Sequence, residues 1–183
     1  MFKLRRMRAM DPLQVAMTGV RMGERYVQVF CHDATLTRGL ATKTGLSGVA
    51  ALAAPDNAHA QRAEAAAAKA GVLVDIKITP ATTLPWDDQS FDMVVIDETG
   101  GDFTALAPDA RTATLQEARR LLRPGGRLEL IERIGGGLIG ARTTPAEYVA
   151  SGGGEGLLRA AGFNPVRTLA ERDGFRFVEG LNA

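Results

Sequence analysis

Leu84-Pro-Trp-Asp-Asp-Gln-Ser-Phe-Asp-Met-Val-Val-Ile96 and Ala118-Arg-Arg-Leu-Leu-Arg-Pro-Gly-Gly-Arg-Leu-Glu-Leu130 decide the fold. In the first stretch, Asp92-Met-Val-Val-Ile96 reads as a short apolar run, the pattern of a strand covered on both faces. Between the two stretches, Leu115, Ala118, Leu121 and Leu122 recur at helical spacing and form one apolar stripe from Pro108 to Leu122. Pro124-Gly125-Gly126 then stops that helix and feeds a strand over Arg127-Leu-Glu-Leu-Ile131. Strand, helix and strand in this order imply a parallel pair joined by a right-handed crossover.

The same alternation extends outward in both directions. Upstream, Asp11-Pro12 starts a helix expected to run to about Val20 and to stop before Gly23. Tyr26-Val-Gln-Val-Phe30 is a strand, followed by a short helix from about Leu36 to Thr42. Val49 to Ala53 is a weaker strand because alanine is a poor strand former. Asp56 caps an Ala-rich helix from Asn57 to Ala70 that Gly71 closes, and Val72 to Ile78 alternates as a strand.

Downstream, Thr144-Pro-Ala-Glu147 is a capping box, and a short helix covers Gly156 to Ala161. Strands near Val166–Leu169 and Phe175–Val178 flank Asp173-Gly174, a tight-turn signal for an antiparallel hairpin. The expected fold is α/β: a doubly wound, mostly parallel seven-stranded sheet ending in that hairpin. Residues 1–22 read as a basic segment and helix, and residues 23–183 as a single domain.

Composition excludes several classes of function. A net charge of +1 gives no global field for a polyanion. Cys31 is the only cysteine, which rules out intrachain disulfides and clustered-cysteine metal sites, and only His32 and His59 remain for imidazole chemistry. No metal site is expected. No run of 18 apolar residues is present and the basic start lacks an apolar core, so the expectation is a cytoplasmic protein without a spanning segment or secretory signal.

The two stretches quoted first, with Leu157-Leu-Arg-Ala-Ala-Gly-Phe163 near the end, resemble class I S-adenosylmethionine-dependent methyltransferases. The resemblance covers about Glu24 to Glu179 and implies a cofactor cleft beyond the carboxyl ends of the first strands. In that family the first strand ends in an acid followed by three alternating glycines. Here those positions hold Gln28, Phe30, His32 and Ala34. The acid expected to accept the ribose hydroxyls is Ala54, and Pro80 stands where an Asp often reaches the adenine amine.

The resemblance therefore implies a methyltransferase-like frame with an eroded cofactor cleft, serving as a non-catalytic binding or assembly protein without S-adenosylmethionine. The alternative is an active S-adenosylmethionine-dependent methyltransferase with an altered grip. Its candidate base is Asp97 or Glu98, against the plainer reading of a solvated acidic turn. A third reading, a dinucleotide oxidoreductase, lacks Gly-x-Gly-x-x-Gly after the first strand.

Other residues have plainer readings. Cys31 is expected to be a buried small side chain, His32 a rim residue, and Trp86 a residue packed on the sheet edge. Glu132 shares the ambiguity of Asp97 with less to single it out. The expected partner is another protein, and Lys3, Arg5, Arg6 and Arg8 offer contact with an anionic surface.

Overall fold

A computed structural model describes residues 12–134 and 145–183. The elements in chain order are α1 (Leu13–Met17), β1 (Arg25–Val29), α2 (Ala34–Thr44), β2 (Val49–Ala54), α3 (Asn57–Ala70) and β3 (Asp75–Ile78). They continue with β4 (Phe91–Glu98), α4 (Pro108–Leu121), β5 (Leu122–Arg133), α5 (Ala146–Ala150), α6 (Gly153–Ala160), β6 (Val166–Arg172) and β7 (Phe175–Leu181). One seven-stranded sheet has the order β3-β2-β1-β4-β5-β7-β6. The pairs from β3 to β5 are parallel, and β7 runs antiparallel to both β5 and β6.

Both sheet faces are covered by apolar side chains, which explains the unbroken apolar reading of β4. Val94 and Ile96 join one cluster with Phe91, Phe103, Leu115 and Leu128, while Met93 and Val95 join a second with Val15, Tyr26, Leu40 and Phe177. The two fold-deciding stretches are joined directly. Arg120 of α4 donates to the carbonyls of Leu84 and Trp86 and to Asp88 and Glu117. Trp86 packs edge-on against Phe91 and donates its indole N–H to Asp75 on the edge strand β3.

Several boundaries differ from the sequence expectation, each for a local reason. α1 ends at Met17 because the Thr18 hydroxyl bonds back to the Val15 carbonyl and Gly19 turns to φ 62°. α2 begins two residues earlier than expected, since the Asp33 carboxylate accepts the Thr35 N–H and caps it. β3 starts late because the Val72 N–H closes the end of α3 by bonding Ala67. β4 runs on through Asp97 and Glu98, which pair with Ile131 and Glu132, so these acids belong to a strand and not to a turn. The hairpin turn is as expected, with Asp173 and Gly174 both at positive φ. Asp11, Thr144 and the glycine-rich stretch at 135–140 lie outside the described residues.

Candidate functional site

The strand order reverses between β1 and β4, so the carboxyl ends of these two strands frame the cleft of an open α/β sheet. Gln28 is fully buried there on β1. Its side-chain amide donates to the Phe30 carbonyl at 2.9 Å, while Oε1 has no partner among the described residues. The group that replaces the expected acid is thus turned onto its own chain.

Phe30 has φ 65°. That left-handed conformation costs a residue with a Cβ about 1–2 kcal/mol, and glycine adopts it freely. The backbone at Phe30 thus has a conformation that glycine adopts freely, while the side chain is phenylalanine. Only 6% of Phe30 is exposed, and it belongs to the apolar cluster that includes Ala53, Ala81, Leu84 and Phe103. Burying a ring of this size contributes about 1.5–3 kcal/mol, enough to hold the strained turn.

Among the remaining positions of the expected grip, Ala54, Pro80, His32 and Ala34, only His32 carries a polar side chain. Ala54 ends β2, is fully buried, and uses its carbonyl to accept the Thr79 N–H. Pro80 is exposed beside it in sequence and has no N–H to donate. His32 is exposed, and its ring lies so close to Gly100 that a Cβ there would stand 2.7 Å from Nδ1. Ala34 opens α2. Cys31 is buried with its Sγ 3.5 Å from the Thr37 hydroxyl, and burial pushes its thiol pKa up, away from a reactive thiolate.

The acids at the end of β4 are buried, which corrects the reading of a solvated turn. Asp97 is 1% exposed. Its carboxylate accepts the His32 N–H at 3.1 Å, the Thr99 N–H at 3.1 Å and the Thr99 hydroxyl at 2.6 Å. Burial raises its pKa, and those hydrogen bonds oppose the rise. Glu98 accepts the N–H groups of Phe103 and Thr104, shaping the turn that leads into α4. Both acids brace backbone. A cavity of about 80 Å³ lies beside Asp97, lined also by Asp33, Thr35 and Thr99.

A second polar cluster lies at the carboxyl end of β5. The Tyr148 hydroxyl donates to Glu132, and the buried Arg111 guanidinium bonds Glu147 and sits 5.6 Å over the Tyr148 ring. Arg176 stands 3.9 Å from the second Glu132 oxygen. Burial is the main cause that raises the Glu132 pKa. Sequence pattern singles out neither Arg111 nor Tyr148, because an arginine in the first turns of a helix ordinarily reads as solvated. Among the described residues no group of three or more His, Cys, Asp or Glu side chains converges on a metal site. Among them, too, no helix is long and apolar enough to cross a membrane.

This sheet order and the two retained stretches point to one family, and a profile described as "Methyltransferase domain" matches residues 27–126, over half of the chain. The chain belongs to the methyltransferase-domain family. The ubiquinone/menaquinone biosynthesis C-methyltransferase UbiE of Chromobacterium violaceum is 27% identical over 115 residues, 63% of this chain and 45% of that relative. This chain therefore matches less than half of the relative's length. A SAM-dependent methyltransferase from Aquifex aeolicus has a TM-score of 0.75 at 17% identity, covering 92% of this chain and 87% of that one. A putative methyltransferase in complex with the methyltransferase activator Trm112, from Haloferax volcanii, has a TM-score of 0.65 at 20% identity, covering 92% and 86%. At such identities the structural likeness establishes the shared fold.

Proposed function

We propose that this chain is a methyltransferase-fold protein that works by binding another protein and does not transfer methyl groups. The observation that carries the reading is Phe30, buried and held at φ 65° where the family it resembles has glycine. The residues present do not fit S-adenosylmethionine at its usual seat. Phe30 fills space at the turn, Gln28 is committed to the Phe30 carbonyl, and the Ala54 side chain cannot accept a ribose hydroxyl.

Two unmade hydrogen bonds to buried ligand groups cost about 1–3 kcal/mol each. The ring at the glycine turn adds a steric penalty. Since each 1.4 kcal/mol is about tenfold, a micromolar site falls to roughly millimolar. Titration calorimetry of the full chain with S-adenosylmethionine and S-adenosylhomocysteine tests this. The expected result is no binding below about the millimolar range; low-micromolar binding of either overturns the proposal.

The similarity to UbiE favours a second reading, an active methyltransferase that uses an altered grip. Asp97 or Glu98 would then be the base, although the hydrogen bonds both already accept leave them better suited to bracing the loop. The Haloferax volcanii complex is a case of this fold assembled with a protein partner, which supports the binding reading. The proposed anionic contact through Lys3, Arg5, Arg6 and Arg8 falls outside the described residues.

A further inference from the structure

We infer that the amino end of the sheet, opposite the cleft, carries a docking site for a protein segment with a bulky apolar side chain flanked by acidic residues. This deepens the binding-protein reading and rests on it for the existence of a partner. Leu46, Leu73 and Met22 are 88%, 84% and 81% exposed. Leu46 and Leu73 share the lining of one cavity of about 150 Å³, with Val72, Ala41, Ala50 and Gly48. Met22 adjoins it: a Cβ on Gly45, another lining residue, would lie 3.9 Å from its Cγ. Singly exposed apolar residues are ordinary, whereas three around one cavity are the anatomy of an interaction patch. A volume of about 150 Å³ is enough for a benzene ring, so one aromatic or branched aliphatic side chain fits.

The lining itself is uncharged, and the cations next to it in the chain favour an acidic occupant. Arg21 adjoins Met22 in sequence, and Lys69 lies in the last turn of α3, which Gly71 closes at the cavity. The acids closest in sequence are already engaged: Glu24 by Arg127 and by the N–H and charge of Arg21, and Asp75 by Lys77 and Trp86. The carboxyl ends of α2 and α3 each carry about half a negative charge, which the cations outweigh. A second copy of the chain would bring like charges together across a two-fold axis. The chain's own segment with Lys3, Arg5, Arg6 and Arg8 would set cations against cations. An acidic partner is what complements this rim.

The test is methyl NMR of the full chain titrated with a short synthetic peptide, a leucine–phenylalanine pair flanked by glutamates, and with its lysine-flanked counterpart. The acidic peptide is expected to shift the signals of Met22, Leu46 and Leu73, and more weakly at high salt. Leu46→Asp, at an exposed position that leaves the fold intact, is expected to lower its affinity at least about tenfold. Ile78→Asp, an exposed control at the far end of β3, is expected to change nothing. Equal binding of both peptides, shifts elsewhere, or no shift overturns the inference. So does a dimer in sedimentation that Leu46→Asp disperses, which assigns the patch to a second copy. Movement of these signals on charge reversal of Arg5 and Arg6, with no peptide added, assigns it to the chain's own segment and also overturns it. Calorimetry with S-adenosylhomocysteine keeps the two proposals apart: tight binding there defeats the reading of the cleft and leaves the peptide result standing.

Discussion

The carboxyl end of β1 and the β4–α4–β5 unit lie in one sheet and are held in different ways. In the β4–α4–β5 unit the side chains of the two stretches hold each other. Arg120 staples Leu84, Trp86 and Asp88 to α4, and Phe91, Leu115 and Leu128 share one core. At β1 Phe30 stands in a left-handed turn, and the Gln28 amide is spent on the Phe30 carbonyl of its own chain. Residues that support the fold are kept by packing whether or not a ligand binds. On the proposed reading, residues whose only duty is to a ligand have been free to change.

The sharpest way to strain the frame side of this comparison lies inside the second stretch. Glu129 is fully buried, neither oxygen has a hydrogen-bond partner among the described residues, and it pairs across β7 with Glu179. Burial first, and then the Glu179 charge, push its pKa up to about 8. A folded pKa raised above the unfolded value of 4.5 means that the unfolded chain loses this proton first. Stability from this group is therefore complete at low pH and falls by about 1.4 kcal/mol per unit as pH rises from about 5 to 8. Glu129→Gln is expected to remove that slope and to be about 3 kcal/mol more stable than the parent near neutrality. Urea unfolding at a series of pH values measures it, and parallel curves for parent and variant would show that Glu129 does not carry the slope.

Next in size is the staple itself. Arg120→Ala leaves the Leu84 and Trp86 carbonyls without their donor and is expected to destabilise by about 2–3 kcal/mol. A loss under about 0.5 kcal/mol, the ordinary surface value, would mean that apolar packing alone joins the two stretches.

The smallest effect is the most specific to the cleft. Phe30→Ala and Phe30→Gly remove the same ring, but only glycine relieves the left-handed turn. The glycine variant is expected to be more stable than the alanine variant by about 1–2 kcal/mol, the reverse of the usual order in regular structure. Thermal unfolding of the pair reads this directly. An alanine variant as stable as the glycine one would mean that the turn relaxes to negative φ once the ring is gone.

Much of the frame was legible in the sequence. The apolar run into Ile96, the helical stripe ending at Leu122 and the Asp173-Gly174 turn depend on neighbours in sequence, and they led to the right elements. The ends of elements were less legible because they depend on individual hydrogen bonds, such as Asp33 to Thr35 or Val72 to Ala67. Asp97 and Glu98 looked solvated because acids usually are; their burial depends on backbone donors from His32, Phe103 and Thr104, which sequence spacing does not reveal.

By itself the sequence determined the order and type of the elements, and so the sheet, because periodicity and turn chemistry act over a few residues. It also singled out Gln28, Phe30, His32, Ala34, Ala54 and Pro80, the positions on which the proposed loss of cofactor binding rests. Only the tertiary structure decided that Phe30 keeps a glycine's backbone while its ring is buried, that Glu129 is enclosed without a partner, and that Met22, Leu46 and Leu73 meet at one cavity. Each of these depends on side chains far apart in the chain, whose burial and contacts exist only once the strands have paired.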